Sequence, residues 1–163
     1  MNTRKNIRLQ NYNYSNNGVY FVTICTKDKR PTLSKIVGDG ILDVPQCNVI
    51  EKENVKVRLT NVGNIVKEII EHLSKHNRNI EIEKYVIMPN HIHLLISISS
   101  DNGTSGKPSP TQNNIKTRAN EVIPKLISSL KRYSNKKTGV DLWQRSYYDH
   151  IIRDEKDYQA KWT

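Results

Sequence analysis

The stretch His91 to Ile98, HIHLLISI, constrains this chain more than any other. Its aliphatic and β-branched content suits a strand, and successive side chains of a strand alternate between its two faces. Ile92, Leu94, Ile96 and Ile98 therefore share one face, which is wholly aliphatic and must turn towards a core. His91, His93, Leu95 and Ser97 share the other. A sheet built around this strand has a packed face and a functional face. Two imidazoles close together on the functional face suit capture of a divalent metal. A His-x-His pair also arises often by chance, so spacing alone leaves an ordinary polar surface open as a reading.

The neighbouring segments indicate what surrounds that strand. Ile80 to Met88 (IEIEKYVIM) has strand character, and Pro89-Asn90 supplies a turn, so the two runs pair antiparallel. Val19 to Thr26 (VYFVTICT) follows Asn-Asn-Gly and reads as a buried strand, with a basic turn from Lys27 to Pro31. From Thr60 the period changes: Val62, Ile65, Val66, Ile69, Ile70 and Leu73 form one apolar stripe at helical spacing, with Thr60 or Asn61 as N-cap. Val122 to Tyr133 repeats this with Ile123, Leu126, Ile127 and Leu130, and Pro124 near its start. Ile36 to Val44 and Val55 to Leu59 read as a peripheral hairpin, about 36–59. Residues 99–118 lack periodicity and read as a flexible connection. Trp143 to Ile152 looks extended, and Asp154-Glu155-Lys156-Asp157 opens a final helix.

Strand, helix, strand, strand, helix, strand is the ferredoxin-like α+β plan. It predicts one domain over 1–163: an antiparallel sheet with helices on one face and an inserted hairpin. The open face of such a sheet often binds single-stranded nucleic acid. Charge agrees, with 26 Lys and Arg against 16 Asp and Glu, a net +10. That excess suits a polyanionic partner, although solubility alone also accounts for it. No apolar run approaches the ~20 residues of a membrane span, and Met1 to Gln10 has no secretory signal. With only Cys25 and Cys47, a reduced cytoplasmic setting is expected rather than a disulfide scaffold.

Four segments carry a family resemblance. Tyr85 to Ile96 (YVIMPNHIHLLI) is similar to the His-hydrophobe-His strand of the insertion-sequence transposases that use a single tyrosine, above all the REP-associated ones. Phe21 to Pro31, Leu59-Thr60 leading into the first helix, and Trp143 to Arg153 agree in order, so the resemblance spans nearly the whole chain. It implies that His91 and His93 hold Mg²⁺ or Mn²⁺ on a scissile phosphate of single-stranded or hairpin DNA. It also implies a tyrosine nucleophile and a 5′-phosphotyrosine intermediate. The nucleophile belongs on the final helix, followed one turn later by a polar third ligand. Tyr158 is the tyrosine on that helix, yet the alignment sets the catalytic position just past Thr163, so the helix is expected to be cut short. Relatives of this type imply a monomer or a homodimer, near the nucleoid of a prokaryote.

Other residues are candidates for contact with DNA. Lys29, Arg30, Lys131, Arg132, Lys136, Lys137 and Arg145 suit phosphates, while Trp143, Tyr147 and Tyr148 suit stacking on bases. Lys29, Arg30, Lys131, Arg145 and Tyr147 are the foremost of these. His150 reads as a structural hydrogen-bonding group, and His72 and His76, one turn apart, as a solvent-exposed pair whose spacing also suits a metal. Two competing functions remain: a hairpin-binding module that does not cut, and a zinc hydrolase of small molecules. The second lacks further ligands at metal spacing.

Overall fold

The computed structural model describes residues 13–14, 16–37, 50–52, 55–77, 79–99 and 121–162. Its main sheet contains β1 (Gly18–Cys25), β5 (Ile80–Ile87), β6 (His91–Ile98) and β7 (Tyr148–Ile152), in the order β5-β6-β1-β7. The strands that precede the two long helices, β1 and β6, lie in the centre, and those that follow lie at the edges. Neighbouring strands are antiparallel throughout. This is the split βαβ arrangement of the ferredoxin-like plan.

A second sheet of β2 (Ser34–Val37), β3 (Ile50–Lys52) and β4 (Val55–Leu59) runs in the order β2-β4-β3. The inserted hairpin is thus three-stranded, and its first strand begins at Ser34, two residues before the expected start. Residues 38–44 of that expected strand lie outside the described residues, as does the connection over 100–118. The Trp143 to Ile152 run forms a strand only from Tyr148, with a single bridge from Trp143 to Thr26.

Helix α1 (Asn61–His76) buries Val66, Ile69 and Ile70 of the apolar stripe, with Val62, Ile65 and Leu73 at its margins. Thr60 is its N-cap: the hydroxyl accepts the Gly63 N–H at 3.1 Å. Helix α2 (Val122–Thr138) buries Ile123, Leu126, Ile127 and Leu130, and ends where Gly139 takes φ 72° and donates its N–H to the Asn135 carbonyl. Both helices pack on the aliphatic face of β6. Ile92, Leu94 and Ile96 there are fully buried, together with Tyr20, Val22 and Ile24 of β1. Each such side chain contributes about 1.5–3 kcal/mol of burial.

A short third helix, α3 (Glu155–Trp162), lies on the opposite face. Its Asp157 carboxylate bonds His150 Nε2 on edge strand β7 at 2.8 Å. Its Tyr158 and Trp162 rings meet Lys84 of the other edge strand, β5. The helix therefore reaches from one edge of the sheet to the other. Among the described residues no helix is long and apolar enough to cross a membrane.

Candidate functional site

Register decides which side chains share the histidine face. Across β1 and β6, Cys25 faces His91, Thr23 faces His93 and Phe21 faces Leu95. Across β1 and β7, Thr23 faces Tyr148 and Phe21 faces His150. These residues line one side of the sheet, opposite α1 and α2. The expected polar surface is only partly realised, however. Leu95 is fully buried and Phe21 is 8% exposed, because α3 covers the middle of this face. The histidines sit beyond it, towards the Pro89-Asn90 turn, and are half-buried.

The two imidazoles converge. His91 Nε2 lies 3.1 Å from His93 Nε2. Two nitrogens each ~2.1 Å from one ion sit about 3.0 Å apart at a right angle and about 3.4 Å apart in a tetrahedron. The observed bite lies between these limits. The other nitrogen of each ring is already engaged: His91 Nδ1 donates to Asn90 Oδ1 at 2.7 Å, and His93 Nδ1 bonds Thr23 Oγ1 at 2.8 Å. An imidazole whose Nδ1 carries the proton offers its Nε2 lone pair, so with His93 in the tautomer that donates to Thr23 both lone pairs would turn to one point. A cation would satisfy that arrangement, in place of a hydrogen bond between the two rings. Phe21 stacks on His93 with centroids 5.0 Å apart and holds the ring in place.

Burial also keeps protons off the pair. It pulls the His91 imidazole below its ordinary value. It takes His93 down to about 4, with the neighbouring His91 adding to the effect. Both rings are therefore neutral at neutral pH, which is the ligating form. Among the described residues no third His, Cys, Asp or Glu completes a metal cluster.

The outer layer yields a prediction. Thr23→Val keeps the side-chain shape but removes the partner of His93 Nδ1. It should weaken divalent-metal affinity by roughly 10–100-fold while the fold is retained. Titration with Mn²⁺, followed by its paramagnetic signal, measures this; unchanged affinity would show that Thr23 does not orient the ring.

The remaining candidates are distributed unevenly. Lys29 and Arg30 are exposed on the basic turn, where Asp28 and Lys29 adopt left-handed backbone angles of 55° and 54°. The Thr26 N–H bonds the Asn90 carbonyl at 2.9 Å, which sets this turn beside the histidine end of β6. Arg145 is exposed as well. Lys131 is committed differently: its ammonium donates to the carbonyls of Gln144, Arg145 and Ser146, at 2.7, 3.3 and 3.1 Å. It clamps the approach to β7.

Trp143, expected to stack on bases, is 4% exposed, and its Nε1–H donates to Ser134 Oγ at 2.6 Å. It belongs to the core because the polypeptide turns inwards there, bridging Thr26. Tyr147 likewise packs against the core. Tyr148 is 41% exposed and shares the histidine face through Thr23. Alternation separates these adjacent tyrosines, but only the pairing with β1 shows which one faces outwards.

Tyr158 lies on α3 over the same face, its hydroxyl 3.5 Å from Glu83 Oε2. Tyr85 is on the helix side, donating to Glu71 Oε1 at 2.9 Å, and burial with this bond pushes its hydroxyl up to about 12. His150 holds Asp157, as a structural group would, and this hydrogen bond keeps the Asp157 carboxyl below its usual range.

Comparison with known proteins gives a consistent answer. Residues 13–160 match the family described as "Transposase IS200 like". A Haemophilus influenzae protein bearing no functional name is 31% identical over 163 residues, covering 95% of this chain and 82% of its own length. A second H. influenzae protein, named "Putative REP-associated tyrosine transposase", is 25% identical over 109 residues, or 67% of this chain and 60% of its own length. The solved structure of a REP-associated tyrosine transposase bound to a REP hairpin shares the fold at a TM-score of 0.57 and 17% identity, over 94% of this chain and 66% of that one. This chain belongs to the IS200-like transposase family.

Proposed function

We propose that this protein cuts and rejoins single-stranded DNA near a hairpin, by transesterification through a covalent 5′-phosphotyrosine. The convergence of the His91 and His93 Nε2 atoms on one point carries the reading. The solved relative with a REP hairpin and the net charge of +10 support a DNA partner. Mg²⁺ or Mn²⁺ held by the pair would polarise the scissile phosphate and stabilise charge on its oxygens.

The residues of the protein supply the rest. Lys29, Arg30 and Arg145 neutralise backbone phosphates on the approach to the histidines. Tyr148 offers an exposed ring beside Thr23 for an unpaired base. A tyrosine hydroxyl on the α3 side of the sheet attacks phosphorus, and Tyr158 is the candidate among the described residues. As the new P–O bond forms, the hydroxyl loses its proton and the bond to the 3′ oxygen breaks. That oxygen departs as a 3′-hydroxyl. Bond energy is retained in the phosphotyrosine, so a second 3′-hydroxyl can reverse the step without a nucleotide cofactor.

The test is a denaturing gel with Mn²⁺ and a labelled hairpin carrying single-stranded flanks. A protein adduct should form on the fragment that bears the new 5′ end, and its loss in Tyr158→Phe would assign the nucleophile to Tyr158. Tight hairpin binding without any adduct would instead establish a binding module. An adduct that survives Tyr158→Phe would move the nucleophile to another tyrosine. In the same assay, Tyr148→Ala should weaken single-strand binding by about 1–3 kcal/mol. Tyr147→Ala should lower thermal stability instead, which separates the two neighbours.

A further inference from the structure

A second pair of imidazoles lies on the other side of the molecule. His72 and His76 are one turn apart near the end of α1, and both are exposed. Their Nδ1 atoms are 3.0 Å apart, sharing a hydrogen bond, and their ring centroids 3.9 Å. That separation matches the right-angle bite expected for two nitrogens ~2.1 Å from one ion. It is also nearly the bite of His91 and His93, which sit on the opposite face of the sheet. The i,i+4 spacing sets both rings on one stripe of the helix, so no loop has to be ordered to bring them together.

The surroundings leave room for an ion and its waters. Both histidines line a groove of about 360 Å³ between α1 and α2, floored by Ile69, Leu73 and Tyr133. Lys136 and Lys137 border it and oppose a cation, but Glu68, one turn before His72, pairs with Lys137 at 3.0 Å. His76 Nδ1 lies 2.8 Å from the His72 carbonyl oxygen and donates to it. Metal binding requires that proton to move to Nε2, which frees the Nδ1 lone pair and gives up the bond to the His72 carbonyl.

We propose that His72 and His76 form a second metal site, independent of the histidine strand and selective for borderline transition ions such as Zn²⁺ or Ni²⁺. Two imidazoles with water in the remaining positions suit these ions. Mg²⁺ prefers oxygen ligands and is not expected to bind there. An ion in this position staples the last turns of α1 beside the groove.

The experiment is calorimetric titration of the full chain with Zn²⁺ alone, in a His91→Ala/His93→Ala background. One equivalent should still bind, and it should raise the melting temperature. Adding His72→Ala or His76→Ala should weaken this binding roughly tenfold or more. Both positions are exposed and alanine favours helix, so these variants keep the fold; His72→Gln serves as a second check. If the background variant takes up no Zn²⁺, or if uptake survives loss of both His72 and His76, the proposal is overturned. Mg²⁺ competing on equal terms would overturn its selectivity.

Discussion

If the proposed function holds, His91→Ala with His93→Ala should abolish retention of Mn²⁺ at the histidine strand and reduce cleavage by at least ~10²-fold. The fold should survive, because both rings are only half-buried while the adjacent Ile92 and Leu94, which face the helices, are untouched. Hairpin affinity should change little, since the proposed contacts are to phosphates and bases rather than to the ion. Each single variant should cost nearly as much as the double one, because one imidazole without its partner no longer gives the two-nitrogen bite; effects within one unit are not additive. Metal binding measured beside cleavage separates the possibilities. Cleavage that persists in the double variant would remove the histidines from the chemistry, whatever the family.

Gly63→Ala should destabilise the protein by roughly 3 kcal/mol or more, against the usual sign of such a change. Within a helix, alanine ordinarily stabilises relative to glycine by about 0.5–1 kcal/mol. Here an added Cβ would overlap the Leu33 carbonyl oxygen and lie 3.3 Å from Leu59 Cβ. The carbonyl cannot retreat freely, because it accepts bonds from the Thr60 N–H and the Thr60 hydroxyl, each at 3.0 Å. The same Thr60 hydroxyl caps α1. One methyl group would therefore strain the cap, the first turn of the helix and the chain leading into β2 together. A drop in melting temperature of about 6–12 °C is expected. An unchanged or raised melting temperature would show that the two segments separate at little cost.

These two predictions rest on features of different legibility. The histidine face could be read from eight residues, because alternation along a strand is a property of the backbone itself. The stripe from Val62 to Leu73 and the Thr60 cap were equally readable, since both depend on neighbours within a few positions. The close contact of Gly63 with Leu33 could not be read. It joins segments 30 residues apart, and nothing local in either marks the approach.

Local patterning in the chain was thus sufficient for the order of the main-sheet strands and their two helices, the aliphatic side of β6 and the pairing of its two histidines, though not for the strand β3. Packing across the sheet settled the rest. Leu95 carries no local sign that α3 will cover it, and Trp143 none that Ser134 awaits its indole N–H. Pairing with Thr23 turned Tyr148 outwards on the face that carries His93, and three backbone carbonyls drew in the Lys131 ammonium. Periodicity reports which side of an element is apolar, whereas burial of a particular side chain depends on whichever distant segment arrives to exclude water from it.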